Sequence, residues 1–221
     1  LKNIREVFPV PNVNYQKQME ETIAGLRGET PSLFLHACCA PCSSYVLEAL
    51  SDYFKITLFY YNPNISPRAE YEKRVAEVRR LLAGLPVKNS VALLEGKYDP
   101  ETFFAMAKGR EAEPEGGGRC ALCYELRLRE SARLAKAGGF DWFTTTLSIS
   151  PYKNAQKLNE IGKKLERETG VRYLCSDFKK RDGYRRSIVL SERYGLYRQD
   201  YCGCVFSRAQ RDARRTAAEP V

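Results

Sequence analysis

Apolar and polar positions alternate along the chain with two different periods, and the switching between them predicts the fold. From Asn14 to Leu26 the apolar residues Tyr15, Met19, Ile23 and Leu26 recur at helical spacing, and Gly28 follows as a stop. Ser32 to Ala37 is an apolar run short enough for a buried strand, and Ser43 to Tyr53 places Val46, Leu47 and Leu50 on one helical face. Lys55 to Tyr61 is β-branched and aromatic, a second strand closed by the turn Asn62-Pro63-Asn64. A helix is expected from Pro67 to Leu82, a third strand from Val87 to Leu94 and a short helix from Pro100 to Lys108. Cys120 to Ala137 then reads as a helix, Phe140 to Thr146 as a fourth strand, Asn154 to Thr169 as a helix and Val171 to Leu174 as a short last strand. Strands alternating with helices require parallel crossovers, so the expected fold is α/β, a parallel sheet between helical layers.

The alternation stops after Leu174. Lys179 to Tyr194 is a basic helical segment, and Tyr197 to Phe206 holds the last two cysteines. The organisation expected is an N-terminal arm and helix over residues 1–30, a single α/β catalytic domain over 31–206 and a charged C-terminal tail over 207–221. Pro9 and Pro11 make the first 13 residues an irregular arm.

Composition narrows the function classes. A chain of 221 residues with 43% hydrophobic content can bury a sizeable core without crosslinks. No apolar run reaches membrane-span length, and Leu1 to Glu6 carries charges of both signs with no apolar signal core after it, so a cytoplasmic location is expected. In such a chain, eight cysteines do not suggest a small secreted disulfide scaffold; clustered thiols in a reducing compartment indicate metal or redox chemistry. The formal charge of +9 favours a polyanionic partner, because each Lys or Arg that neutralises a phosphate releases a counterion. Between residues 179 and 198 lie Lys179, Lys180, Arg181, Arg185, Arg186, Arg193 and Arg198, with Tyr184, Tyr194 and Tyr197 interleaved. Arginines can hold phosphates and tyrosines can stack on splayed bases, so this segment is the expected RNA-binding element.

The thiols fall into three groups. His36-Ala37-Cys38-Cys39-Ala40-Pro41-Cys42 follows the first strand, and core packing has no use for three cysteines in five positions. Ligands of an open parallel sheet sit beyond its C-terminal strand ends, so this junction and the Ser148 to Tyr152 loop after the fourth strand are the expected site. No glycine lies between Gly28 and Gly84, so the phosphate cradle common in such folds is missing. Cys120 and Cys123 form a C-x-x-C whose i and i+3 positions share a helix face. With Cys38 and Cys39 they supply four thiolates, as an iron–sulfur cluster or a tetrahedral zinc site requires. Zinc would leave Cys202-Gly203-Cys204 unexplained, which favours iron. That C-x-C pair, with glycine at the bend, reads either as a strained, easily reduced disulfide or as two more ligands. Cys175 reads as a buried inert thiol, and His36 as either a satisfied core residue or a tuner of the site.

The motifs His36-Ala37-Cys38-Cys39-Ala40-Pro41-Cys42, Cys120-Ala121-Leu122-Cys123-Tyr124, Ser150-Pro151-Tyr152-Lys153-Asn154, Asp177-Phe178-Lys179-Lys180 and Tyr201-Cys202-Gly203-Cys204 resemble the QueH family of epoxyqueuosine reductases. The resemblance implies a fold like the adenine nucleotide alpha hydrolase (HUP-like) class with the cysteine-rich site at the C-terminal strand ends. It also implies a 4Fe-4S cluster and two-electron reduction of epoxyqueuosine to queuosine at the tRNA wobble position, the last step of queuosine synthesis. Carried onto this chain, it makes Cys38, Cys39, Cys120 and Cys123 the cluster ligands and Cys202 with Cys204 the redox-active pair. Lys153 or Tyr152 is expected to protonate the departing oxygen. Cys42 and Cys175, with Asp177, are weighed as ligands of an additional iron. The rival readings are a tRNA-thiolating or dithiol oxidoreductase, against whose thiolating form the missing glycine-rich loop argues, and a non-catalytic zinc-stabilised RNA-binding module.

Overall fold

Leu33, Phe34, Leu35 and Ala37 are all buried because the strand that carries them lies at the centre of a sheet with helices on both faces. The computed structural model describes residues 13–218. Strands β1 (Ser32–Ala37), β2 (Lys55–Tyr60), β3 (Val91–Glu95), β4 (Trp142–Thr145) and β5 (Arg172–Tyr173) form one sheet in the order β3-β2-β1-β4-β5, every neighbouring pair parallel. The register pairs Leu33 with Ile56 on one side of β1 and with Trp142 on the other. Alternate residues serve opposite layers. Leu33, Leu35, Ile56, Leu58 and Tyr60 pack with α2 (Ala40–Leu50) and α3 (Arg68–Gly84), while Phe34, Phe59 and Phe143 pack with α5 (Gly118–Ala137) and α6 (Ala155–Thr169). The expected α/β architecture is the one observed.

The remaining helices are α1 (Tyr15–Ala24), α4 (Pro100–Ala107), α7 (Gly183–Arg193) and α8 (Val205–Ala218). The expected charged tail is, over its described part, the body of α8, and Phe206 anchors that helix with its ring centroid 6.1 Å from that of Phe103. The expected irregular arm falls almost wholly outside the described residues. Three element starts differ from the sequence-based expectation by three residues or more. β3 begins at Val91, and just before it the Asn89 side chain donates to the carbonyl of Ser51 at 2.7 Å. Helix α7 begins at Gly183, because Arg181 and Asp182 take left-handed backbone conformations with φ near 54° and 57°. Helix α2 starts at Ala40, three residues before the expected Ser43, with Cys39 as its N-cap and Pro41 in its first turn.

Strand order reverses direction at β1, whose neighbours are β2 and the much later β4. The crevice of a doubly wound sheet opens at such a point, beyond the carboxyl ends of the strands. Here those ends deliver Cys38 and Cys39 from β1, the short 3-10 turn Thr146–Ile149 from β4 and Asn62 from β2.

Candidate active site

The early start of α2 decides the geometry of the first thiol group. With Cys39 as N-cap, Cys42 is the third residue of the helix and turns back over it, so the Sγ atoms of Cys38, Cys39 and Cys42 all lie within 4.8 Å of one another. Cys38 Sγ is 3.8 Å from Cys39 Sγ and 3.4 Å from Thr146 Oγ1 on the β4 side of the crevice. Hydrogen bonds from Cys38 and then Cys42 hold the Cys39 thiol well below the ordinary range, against its burial. The same sharing pushes Cys42 well above that range and Cys38 up. The helix N-terminus, whose free N–H groups favour negative charge, acts on Cys39 in the same direction. Three convergent thiols of this kind could bind a metal ion.

The second and third groups face each other. Cys120 and Cys123 stand on the first turn and a half of α5, and with Cys202 and Cys204 they line one narrow crevice together with Arg127. Burial pushes Cys123 up to about 12 and raises Cys120 as well. Gly116 N–H donates to Cys120 Sγ at 3.3 Å, and Ser207 N–H at the start of α8 donates to Cys204 Sγ at 3.4 Å. Lys153 Nζ is 3.5 Å from Cys202 Sγ. Gly203 makes the bend between the two cysteines at φ +114°, where a side chain is strained. All eight cysteines are free thiols in this structure.

A cavity of about 440 Å³ adjoins this crevice, with Cys38, Cys39, Cys42 and Cys202 on its walls. Glu115, Arg127 and Cys202 line both this cavity and the narrow crevice, so the two spaces share a wall. The Ser150–Lys153 loop borders the cavity, as expected from its position after β4. Lys153 is half-buried there, whereas Tyr152 is 74% exposed at the rim. Burial lowers the Lys153 ammonium's affinity for its proton, but Cys202, Tyr124 and Cys38 outweigh it, and Lys153 is held above the usual lysine range.

The sequence singled out neither Arg74 nor Arg127, yet both are buried beside the thiols. Arg74 donates from Nε to Glu70 at 2.7 Å and from Nη1 to the Cys202 carbonyl at 3.1 Å. Arg127 donates from Nε to the Cys123 carbonyl at 3.1 Å and from Nη1 to Asn62 Oδ1 at 3.3 Å. Asn62 is fixed in turn by donating to the Ala37 carbonyl at the end of β1, at 2.8 Å. A signal for both arginines was present. Arg74 follows Tyr71 by three positions and Arg127 follows Tyr124 by three, so each cation falls on an apolar helical stripe.

Other expected site residues are placed elsewhere. His36 is fully buried, with Nε2 3.0 Å from the Tyr61 carbonyl and Nδ1 2.9 Å from Thr145 Oγ1; burial lowers it to about 4. It is a neutral core histidine. Cys175 packs among Phe143, Tyr173 and Val171 on the other side of the sheet from Cys42, and Asp177 pairs with Lys179 at 2.7 Å. The weighed additional-iron set of Cys42, Cys175 and Asp177 is therefore not brought together, and the only convergent triad among the described residues is Cys38, Cys39 and Cys42. The basic segment is also dispersed: Arg181 pairs with Glu20, Arg186 with Glu48, and Tyr197 donates to Glu70. From that segment only Tyr184, Ser187 and Arg198 line the cavity, joined by Arg214 of α8. No helix among the described residues is long and apolar enough to cross a membrane.

Comparison with known proteins agrees with this arrangement. A family model described as epoxyqueuosine reductase QueH matches residues 33–210. The chain is similar to the epoxyqueuosine reductase QueH of Staphylococcus epidermidis, 43% identical over 201 residues that cover 88% of this chain and 84% of the relative. It is also similar to that of Streptococcus pyogenes, 41% identical over 203 residues covering 90% and 80%. The Thermotoga maritima relative of the same name is 35% identical over 186 residues covering 81% and 92%. With the match running from β1 into α8 and taking in all three thiol groups, this chain belongs to the QueH family of epoxyqueuosine reductases.

Proposed function

We propose that this chain reduces epoxyqueuosine to queuosine in the anticodon of tRNA, with a 4Fe-4S cluster held by Cys38, Cys39, Cys120 and Cys123 and with Cys202 and Cys204 as the redox-active pair. The observation that carries this reading is the convergence of three thiol groups, distant in sequence, on adjoining cavities at the switch point of the sheet. The residues fit a metal–sulfur group of negative charge: the ligands are sulfur, the site is sheltered, and three buried guanidinium groups, those of Arg74, Arg119 and Arg127, border it. Such a cluster supplies electrons one at a time.

The chain's own residues account for the rest of the balance. Converting the epoxide to an alkene breaks both C–O bonds, forms one C=C bond and releases water, at a cost of two electrons and two protons. Cys202 and Cys204 can give up both electrons and both protons by closing a disulfide, which an external electron donor then reopens. Lys153, in the cavity and held protonated by Cys202, is the group placed to hand a proton to the departing oxygen. Tyr152, expected as an alternative donor, is exposed at the rim and suits stacking on a splayed base instead. Arg198, its guanidinium 5.8 Å from the Tyr184 ring centre, and Arg214 border the same opening and suit the phosphates on either side.

The test is anaerobic conversion of epoxyqueuosine-containing tRNA, read by nucleoside mass spectrometry. Cys202→Ser should retain the visible absorbance of the cluster and abolish multiple turnover; retained turnover sinks the dithiol role, and a colourless protein loaded with zinc sinks the reductase reading. The closeness of Cys42 to Cys38 and Cys39 favours one variation, in which Cys42 takes a ligand position. Iron content separates the two assignments: Cys42→Ser should keep a full complement if Cys120 and Cys123 are ligands, and Cys120→Ser should lose it.

A further inference from the structure

Arg127 is 1% exposed and Arg74 2% exposed, and an arginine stays charged in a protein. Burying a cation costs several kcal/mol unless a negative charge accompanies it. Arg74 has Glu70 at 2.7 Å, but Arg127 has no ion pair among the described residues; its partners are a backbone carbonyl and an uncharged amide. Both arginines use Nε and Nη1, and in both the buried Nη2 has no hydrogen-bond partner. Both side chains line the cavity that holds Cys38, Cys39, Cys42 and Cys202, and Arg127 also lines the crevice of Cys120, Cys123 and Cys204. Two fixed cations, each with one buried donor unused, border the same thiol-lined space and define a receptor for concentrated negative charge.

We propose that Arg127 and Arg74 are the built-in counter-charges of the metal centre, their free Nη2 groups donating hydrogen bonds to its anionic sulfur ligands and raising its reduction potential. They are positioning residues: their own bonds go to Glu70, Asn62 and the carbonyls of Cys123 and Cys202. Hydrogen bonds to sulfur and nearby positive charge both favour the reduced state, which carries one more negative charge. Arg127 carries the larger share, since among the described residues no carboxylate is paired with it as Glu70 is with Arg74. Its Nε and Nη1 bonds fix the guanidinium to α5 and to the Asn62 bridge from β1, so the donor is held in place before any metal arrives.

This inference rests on the iron–sulfur reading above, and one measurement separates the two. Wild type, Arg127→Lys and Arg127→Gln are reconstituted anaerobically, assayed for iron and acid-labile sulfide, and titrated against redox mediators with the reduced centre followed by electron paramagnetic resonance. At the wild-type midpoint, Arg127→Gln should show at least a tenfold lower ratio of reduced to oxidised centre, a negative shift of about 59 mV for one electron. Arg127→Lys keeps the charge without the planar fork and should shift less in the same direction. Iron retained by Lys and lost by Gln in folded protein also supports the role. An unmoved midpoint in both variants, or equal loss of iron from both, overturns the proposal while leaving the reductase reading intact. A wild-type protein that takes up no iron overturns that reading and the proposal together.

Discussion

Gly203 offers the most direct test of how tightly the second cysteine pair is built. Its φ of +114° lies outside the left-handed well that Asn or Asp can share, so any side chain there is strained. A Cβ at this position would lie 2.9 Å from both Arg74 Nη1 and Ile65 Cγ1 and 3.2 Å from Arg74 Cζ. Neither neighbour can swing away: Ile65 is 1% exposed and Arg74 2%, and Arg74 is tied to Glu70 and to the Cys202 carbonyl. Gly203→Ala should therefore cost about 1–3 kcal/mol of backbone strain and about 1–3 kcal/mol of overpacking. Gly139→Ala is the control, because Gly139 also has a positive φ, +68°, but nothing lies within 4 Å of its Cβ position. It should cost only the left-handed term, about 1–2 kcal/mol. Urea unfolding of the metal-free, fully reduced protein, followed by circular dichroism, measures both variants against wild type. The expected result is a lower midpoint for Gly203→Ala than for Gly139→Ala at an unchanged slope. Equal midpoints would refute the claim that Arg74 and Ile65 enclose the bend.

The rim and the buried histidine give two further predictions. Tyr152→Ala should raise KM for the tRNA substrate by about 5- to 150-fold, matching about 1–3 kcal/mol for one stacked base, while Tyr152→Phe stays near wild type. A fall in kcat at constant KM would instead return Tyr152 to the chemistry. Arg214→Ala should reduce the salt dependence of tRNA binding by about one phosphate contact, and an unchanged slope would remove Arg214 from the interface. His36 has a native pKa of about 4 against 6.5 for the free side chain, so between these values the unfolded chain binds a proton that the native protein does not. Its contribution to stability is full above about pH 6.5 and falls as pH falls, by about 3 kcal/mol at pH 4. His36→Gln should flatten that part of the stability profile in acid unfolding of the metal-free protein; the same slope in both proteins would show that His36 does not titrate there.

Much of the fold was legible because parallel strands fill both faces with apolar residues and helices fill only one. The run Ser32–Ala37 coincides with β1, and the helix expected from Asn154 begins one residue later, at Ala155, with the Asn154 side chain accepting from Lys157 N–H at 3.0 Å. The misplaced start of α2 had a local cause: Cys39 does not resemble an N-cap, and Pro41, which marks a first helical turn, was the signal to follow. Three residues of error concealed the meeting of Cys42 with Cys38 and Cys39. The basic segment misled for a different reason. Charge along the sequence does not show which cations are already paired, and Arg181 finds Glu20 across 161 positions and Arg186 finds Glu48 across 138. Arg74 and Arg127 were legible only as cations on apolar stripes; what they face depends on tertiary structure.

The three thiol groups sit near the beginning, the middle and the end of the described chain, at residues 38–42, 120–123 and 202–204. During synthesis the triad and the central strands leave the ribosome long before α8, whose first turn holds Cys204. A nascent chain halted before residue 202 therefore carries the Cys38, Cys39 and Cys42 triad without Cys202, Cys204 or the helix that bonds to Cys204. Completion of the crevice thus waits on the last part of the described chain, because Cys202, Cys204 and Ser207 supply the wall that faces Cys120 and Cys123.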